Sequence, residues 1–451
     1  MSLAVNLLAA AWARLVLLGQ GLGALAALAA ELAGALFGAG ALKDRVVKVL
    51  VRVEIQRQVF AVLRAFQPNL VLRKTLVTAY ANTGTAIVTR AEDVCEVLIR
   101  DQDFEVVYAP RMGMITGGAN FFLGMQNSAD YTRDVANMRL AVRRDDVPAI
   151  IAPFLAQRAA AIVEAAPGRL DAPQDLTLPV AARLLDAYFG VGGPTEASLI
   201  DWTTTLFWYL FIDLRADAGL DARAVTAAQV GRDYLDQAIA ARKAAPTEAD
   251  DVLNRCLAMQ KAGLPGMDDR AIRDNLIGLM IGEVPTTSKA AILALDQLLD
   301  RPGALAGAQA AARADDDAAL AAHVFEALRF NPVNPLIYRI AVRDTLIAAN
   351  TARARWVPKS TLVMACNLSA MFDPLQLASP SRFRADRPWG DYMLWGYGLH
   401  TCFGAHINRA SIPALLKPLL RKPNLRRAAG EAGRIDLAGT PFPAHMMVEF
   451  D

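Results

Sequence analysis

Apolar positions recur every three or four residues around 133–165, 176–190, 198–214, 222–243, 270–300 and 318–330, the period of helices that turn one face inward. Alternating or β-branched runs are short, as at Ala86-Ile87-Val88 and Leu362-Val363-Met364, so strands are few. The pattern predicts a mainly α protein with small β-sheets, of the α+β class. No internal repeat, low-complexity linker or long Pro/Ser tract interrupts residues 43–451, which read as one continuous fold.

Residues 1–42 break this pattern. They are almost entirely Ala, Leu, Gly and Val, with only Arg14 and Glu31 charged, and Lys43, Asp44, Arg45 and Lys48 follow together. The apolar run from Leu15 to Leu42 exceeds the roughly 20 residues that span hydrocarbon, although Glu31 would cost a few kcal/mol there. Two readings stand: a membrane span, or Ala-rich helices lying on the membrane or packed on the body. A signal peptide fits less well, because the run is too long and does not start basic. Hydrophobic residues make up 54% of the chain and charged residues 20%, which requires deep burial or membrane contact. The net charge of +2 and the lack of a basic stripe argue against nucleic acid and for a small-molecule partner. Cys95, Cys256 and Cys366 are scattered without C-x-x-C or Cys/His grouping. Neither a zinc site nor a cysteine-ligated cluster is built from them by spacing, and a reducing, cytosolic compartment is expected.

Cys402 is different. It stands in Trp395-Gly396-Tyr397-Gly398-Leu399-His400-Thr401-Cys402-Phe403-Gly404, directly before an apolar segment, Ala405 to Leu420, that reads as a helix. The glycines permit a tight path that lets a flat ligand approach. A helix starting near Cys402 would aim free N–H groups and a positive dipole end at the sulfur and lower its pKa. This decapeptide resembles the haem-ligand signature of the cytochrome P450 superfamily, F-G-x-G-x-H-x-C-x-G, at every fixed position but the first, where Trp395 replaces phenylalanine.

The resemblance implies the cytochrome P450 fold, with haem b as cofactor and Cys402 as its axial iron ligand. It extends to Glu326-Ala327-Leu328-Arg329, similar to the family's E-x-x-R, and to Phe383-Arg384-Ala385-Asp386-Arg387-Pro388, similar to its meander. Glu326, Arg329 and Arg387 are thereby expected to form a buried structural ion network. For the haem propionates the resemblance offers His400, Arg339, Tyr131 and Arg133; Tyr131 stands where histidine is more frequent. Trp395, Gly396 and Gly404 complete the expected cofactor loop.

On the oxygen side, Gly282-Glu283-Val284-Pro285-Thr286-Thr287 is similar to the family's A-G-x-[ED]-T-T, with Thr286 matching the distal alcohol and Pro285 in the acid's place. Proline carries no proton and removes a helix N–H, so the ladder is expected to open near Ile281. Glu283 and Thr286 are the expected catalytic pair, passing protons through water. The implied activity is monooxygenation of a hydrophobic small molecule, fatty acyl, terpenoid or steroid-like, by O2. Electrons would come from a separate ferredoxin- or flavodoxin-type donor docking at Arg139, Arg143 and Arg144. Pro285 keeps two alternatives open: a peroxide-using peroxygenase or lipid hydroperoxide isomerase, and a non-catalytic haem-binding sensor. Met112, Met114, Phe121, Phe122 and Met125, with Phe207, Trp208 and Phe211, are the expected apolar pocket.

Overall fold

The computed structural model describes residues 3–36 and 41–451; the rest of the apolar segment 1–42 lies outside the described residues. The chain divides into two compact units. One comprises residues up to Val77 with Ala81–Glu105 and Arg329–Thr401, the other Thr78–Tyr80, Val106–Leu328 and Cys402–Asp451.

The first unit is built on a five-stranded sheet, in the order Asn69–Leu72, Gly84–Val88, Thr361–Ala365, Ile337–Ala341, Phe104–Glu105. Of its three inner strands, Gly84–Val88 and Thr361–Ala365 run parallel with Ala86 opposite Val363, so the two short apolar runs of the sequence are neighbours. Every residue of Thr361–Ala365 is buried, as a strand covered on both faces requires. The helix Ala91–Ile99 covers this sheet, and Val94, Val97 and Leu98 share a core with Val88 and Val363.

The helix Leu3–Leu36 lies against the helix Val53–Phe66. A Cβ at Gly21 would stand 2.4 Å from Ala65 Cβ, so the missing side chain sets the closeness of the crossing. Leu17, Ala24 and Ala35 are buried, whereas Trp12, Leu15, Leu22 and Leu25 are exposed. Glu31 is bound by Arg52 at 2.5 Å.

The second unit is a helical assembly around Asp269–Leu299. This helix starts at Asp268, whose side chain accepts from the Ala271 N–H, and it buries residues all round, among them Ile272, Leu276, Met280, Val284 and Leu295. It packs against Glu196–Phe207, Ala218–Ala244 and Ala405–Arg421, the last of which also lies on Ala152–Ala165. The Trp202 ring would touch a Cβ at Gly231 at 3.4 Å, which explains a glycine inside a long helix. A three-stranded sheet, Arg169–Asp171, Met447–Glu449, Arg426–Arg427, completes the unit.

The architecture is mainly helical with small sheets, as the hydrophobic pattern predicts. Two details differ. The apolar run 133–165 is not one helix: Ala129–Ala141 ends where the Val142 N–H meets the Met138 carbonyl, and a π-turn with Pro148 in it starts the next segment. The helices Val53–Phe66, Val252–Lys261 and Pro302–Arg313 lie outside the runs marked by periodicity; the last is Ala-rich, so its inner and outer faces contrast weakly.

Candidate functional site

In the first unit, the segment leading to Cys402 follows a path that only glycine takes easily. Gly396 and Gly398 have φ of +81° and +75°, in the left-handed region. A Cβ at Gly398 would lie 2.6 Å from the Leu98 carbonyl oxygen. Thr401 then closes the turn, its N–H and hydroxyl both donating to the Gly398 carbonyl at 3.1 and 2.8 Å. Trp395 stacks on Trp389 with centroids 5.1 Å apart. Arg339 is buried on the strand Ile337–Ala341 and donates to the Tyr338 carbonyl at 2.9 Å. Burial, and secondarily the Arg339 charge, push His400 down to about 4; at neutral pH it is an uncharged donor, not a cation.

The same unit holds Arg329 and Arg387. Arg329 has no exposed surface. Its guanidinium donates to the Met371 and Arg382 carbonyls at 2.9 and 3.3 Å and lies 4.5 Å from the ring centroids of both Phe330 and Phe372. Arg387 donates to the carbonyls of Ala378, Ser379 and, at 3.2 Å, Arg382. The two arginines therefore share one carbonyl and pin the chain from 371 to 387. Glu326, in the second unit, is also fully buried.

In the second unit, Cys402 stands three residues before the helix Ala405–Arg421. It is accessible to small molecules, yet surrounding protein desolvates it strongly enough to raise its thiol above the ordinary range. Both hold when a sulfur faces an enclosed space. The Gly404 and Ala405 N–H groups and the Arg139 charge act in the opposite direction, while Glu283 adds to the rise. The expectation of a lowered thiol pKa is thus corrected: in the protein alone, burial outweighs the helix terminus.

Arg139, expected in a docking patch, is turned inward. Its guanidinium lies 3.8 Å from the Phe403 ring centroid, donates to the Phe403 carbonyl at 2.8 Å and meets His406 Nδ1 at 3.2 Å. Arg143 remains outside, 3.6 Å from Asp250. His406, which the sequence did not mark, is pushed down to about 4 by burial and then by Arg139 and Arg144. Tyr131 is buried; Arg133 is 38% exposed and held by Asp130 and Asp134 at 2.7 and 2.8 Å.

The helix Asp269–Leu299 continues through Pro285. In the middle of this helix Gly282 is exposed and Thr286 half-buried, with 283–285 between them buried, and one turn apart the two share a face. The Thr286 hydroxyl donates to the Gly282 carbonyl. Glu283 faces elsewhere: it accepts from the Thr287 hydroxyl at 3.1 Å, and that hydroxyl lies 3.4 Å from Asn408 Oδ1. Burial pushes Glu283 up to about 7, against the pull of the Thr287 hydrogen bond. The structure thus brings Glu283 to Thr287, the second threonine of the motif, and through it to Asn408, which the sequence did not mark. The contact joins positions 121 apart, and no local signal reveals it.

Of the expected pocket residues, Met112, Phe121 and Phe122 are buried. Gly278 opens a notch in the long helix for Phe121, three of whose ring carbons lie 2.5 Å from where a Cβ would be. Phe207 and Phe211 pair at 4.6 Å.

The donor set fits a haem iron bound by thiolate. A desolvated sulfur with an open side, two backbone N–H groups directed at it and the Arg139 charge acting on it, suits a metal-bonded anion. The buried Arg339 and the half-buried, neutral His400 are donors of the kind propionates take.

The family model for cytochrome P450 matches residues 196–428, more than half of the chain. The chain is 32% identical to psi-producing oxygenase A of Emericella nidulans over 130 residues, 25% of this chain and 12% of that one. It is 26% identical to cyclomarin C epoxidase CymV of Salinispora arenicola over 276 residues, 61% of this chain and 64% of that one. The match spans less than two thirds of either relative. Among solved structures, P450BioI in complex with hexadec-9Z-enoic acid ligated acyl carrier protein superposes with a TM-score of 0.74 at 18% identity. That superposition covers 88% of this chain and 99% of the other, a likeness of fold. With the glycine-turned loop before Cys402, the long helix with its open Gly282 face and the extent of the family match, the chain belongs to the cytochrome P450 family.

Proposed function

We propose that this protein is a haem-thiolate monooxygenase that inserts one atom of O2 into a hydrophobic small molecule, with electrons from a separate ferredoxin- or flavodoxin-type donor. Residues 43–451 form its catalytic domain. Cys402 is the ligand, and Arg339, His400 and Tyr131 are the propionate donors; Arg133, tied to two carboxylates, contributes less. Trp395, Gly396 and Gly404 shape the loop, and Glu326, Arg329 and Arg387 brace it. Haem b, when bound, supplies oxygen activation and group transfer. The observation that carries the reading is the enclosed yet accessible Cys402 sulfur, with the Gly404 and Ala405 N–H groups directed at it.

This chain's own groups do the rest. Glu283, pushed up to about 7, is about half protonated at neutral pH and so can both give and take a proton, as a relay in an enclosed site must. Thr287 orients that carboxyl. The Thr286 hydroxyl satisfies the Gly282 carbonyl and keeps the open face of the helix polar at one point. The buried, paired rings of Phe121 and Phe122 and the buried ring of Phe207 supply apolar surface from which water is excluded. The reading places the body in the cytosol; the exposed Trp12, Leu15, Leu22 and Leu25 support contact of the apolar segment with a membrane, and the packing of Leu3–Leu36 on Val53–Phe66 supports a helix held on the body.

Purified protein supplied with O2 and a reductase couple is expected to oxygenate hydrophobic compounds; absence of product under those conditions, with product from peroxide alone, selects the second reading. That reading is a peroxide-dependent enzyme, and it is favoured by Pro285 in the acid's place and by Glu283 pointing to Thr287 rather than Thr286. In the oxygen-driven case Glu283→Gln should lower product formed per reductant consumed by roughly tenfold or more. The wild-type ratio should fall as pH rises through about 7, because the protonated carboxyl is then lost. An unchanged ratio in the glutamine variant would remove Glu283 from proton delivery.

A further inference from the structure

The long helix carries an enclosed cation that the oxygen chemistry does not use. Lys289 lies three residues after Thr286 and seven after Gly282, so all three share one helix face. That face is the one left open: Gly282 is exposed, and Thr286 and Lys289 are half-buried between buried neighbours. Among the described residues the Lys289 ammonium has neither a hydrogen bond nor an ion pair; its contact is the Phe442 ring, 5.5 Å away. From Phe442 a line of aromatic rings leads off. Phe207 is 5.9 Å from Phe442, Phe211 4.6 Å from Phe207, and Tyr108 4.9 Å from Phe211.

Burying an ammonium without a carboxylate is costly. The cost is visible in the ammonium itself, which desolvation alone pushes down to about 8. No other charge contributes to that shift, so the place holds a single positive charge in apolar surroundings. Methionine or leucine would fill the same volume with no such penalty, and a residue that breaks a local rule in this way points to a ligand that compensates it. A lone cation is complementary to a monoanion, whereas a phosphate dianion calls for several donors.

We propose that Lys289 is the anchor for the substrate's carboxylate, and that the substrate is an amphiphile whose hydrocarbon part runs along Phe442, Phe207 and Phe211. This deepens the monooxygenase reading and rests on it for the fate of the bound molecule, but binding is independent of turnover.

Equilibrium dialysis of the haem-loaded protein against dodecanoic acid and dodecan-1-ol tests it. Wild-type protein is expected to hold the acid at least about tenfold more tightly than the alcohol. Lys289→Met should weaken acid binding on the order of 30-fold and leave the alcohol within about twofold. Lys289→Arg should keep the preference for the acid. Equal retention of acid and alcohol by the wild type, including no measurable retention of either, overturns the proposal, as does a preference that survives in Lys289→Met. A lysine held for structure predicts a lower thermal midpoint for Lys289→Met without ligand, while an anchor predicts an unchanged or higher one; a clear drop also overturns it. If the acid preference stands and no oxygenated product forms, the monooxygenase reading fails and the carboxylate site remains.

Discussion

The Cys402→Ala protein is expected to fold and to show none of the red-shifted Soret absorption that a thiolate-bound haem gives when reduced under carbon monoxide. Nothing in the fold depends on the sulfur: it makes no disulfide, and its side chain is accessible. Everything proposed for the site does depend on it. Loss of outer partners of a metal ligand typically weakens binding 10–100-fold, so loss of the ligand itself should lower haem affinity by at least about 100-fold. The wild-type protein adds a second readout. Burial raises the Cys402 thiol, so the free group is protonated at neutral pH and must lose its proton to bond a metal. Haem uptake should therefore strengthen as pH rises toward the thiol's pKa. An alanine variant with an unaltered spectrum, or uptake that does not depend on pH, would show that another residue binds the iron.

Arg329→Ala should destabilise the first unit by about 3–5 kcal/mol, the usual loss when a buried charged donor is cut away from its partners. The change leaves the Met371 and Arg382 carbonyls short of a donor and empties the space beside Phe330 and Phe372, which the guanidinium fills at 4.5 Å from each ring centroid. Against a total domain stability of about 5–15 kcal/mol this loss is a large fraction, enough to bring a domain at the lower end of that range to its unfolding midpoint. Arg329→Lys should recover little, because an ammonium cannot reach two carbonyls in one plane. The check is a denaturant titration followed by far-ultraviolet circular dichroism. A midpoint change worth less than about 1 kcal/mol would show that Arg387, which reaches the Arg382 carbonyl independently at 3.2 Å, holds this segment unaided.

What the sequence makes legible follows from how local each constraint is. The turn before Cys402 is readable because positive φ at Gly396 and Gly398 leaves its mark in residue type. The inner strands are readable because a strand covered on both faces must be largely apolar, as residues 362–365 of Thr361–Ala365 are. The Glu283–Thr287–Asn408 contact is not: half of it is an ordinary i,i+4 pair and the other half joins two distant helices. Arg139 reads as one of three surface arginines, and only the placement of Phe403 turns it inward. The direction of the Cys402 shift is hidden from the sequence for the same reason. A helix terminus is visible in sequence, whereas the depth of surrounding protein is a property of the whole fold.

Phe121 sits in the notch at Gly278 by shape alone, while the polar groups beside it are satisfied locally: Asn120 accepts from the Phe121 N–H at 2.9 Å and donates to the Gly124 carbonyl at 2.9 Å. Among the described residues the segment 120–124 therefore meets the long helix through packing and not through a hydrogen bond, with Phe121 in the notch and Phe122 set between Phe121 and Phe403 at centroid distances of 3.9 and 5.4 Å. An apolar seam of this kind is held by shape, so enlarging the residue at 278 would displace the ring without unsatisfying a single polar group.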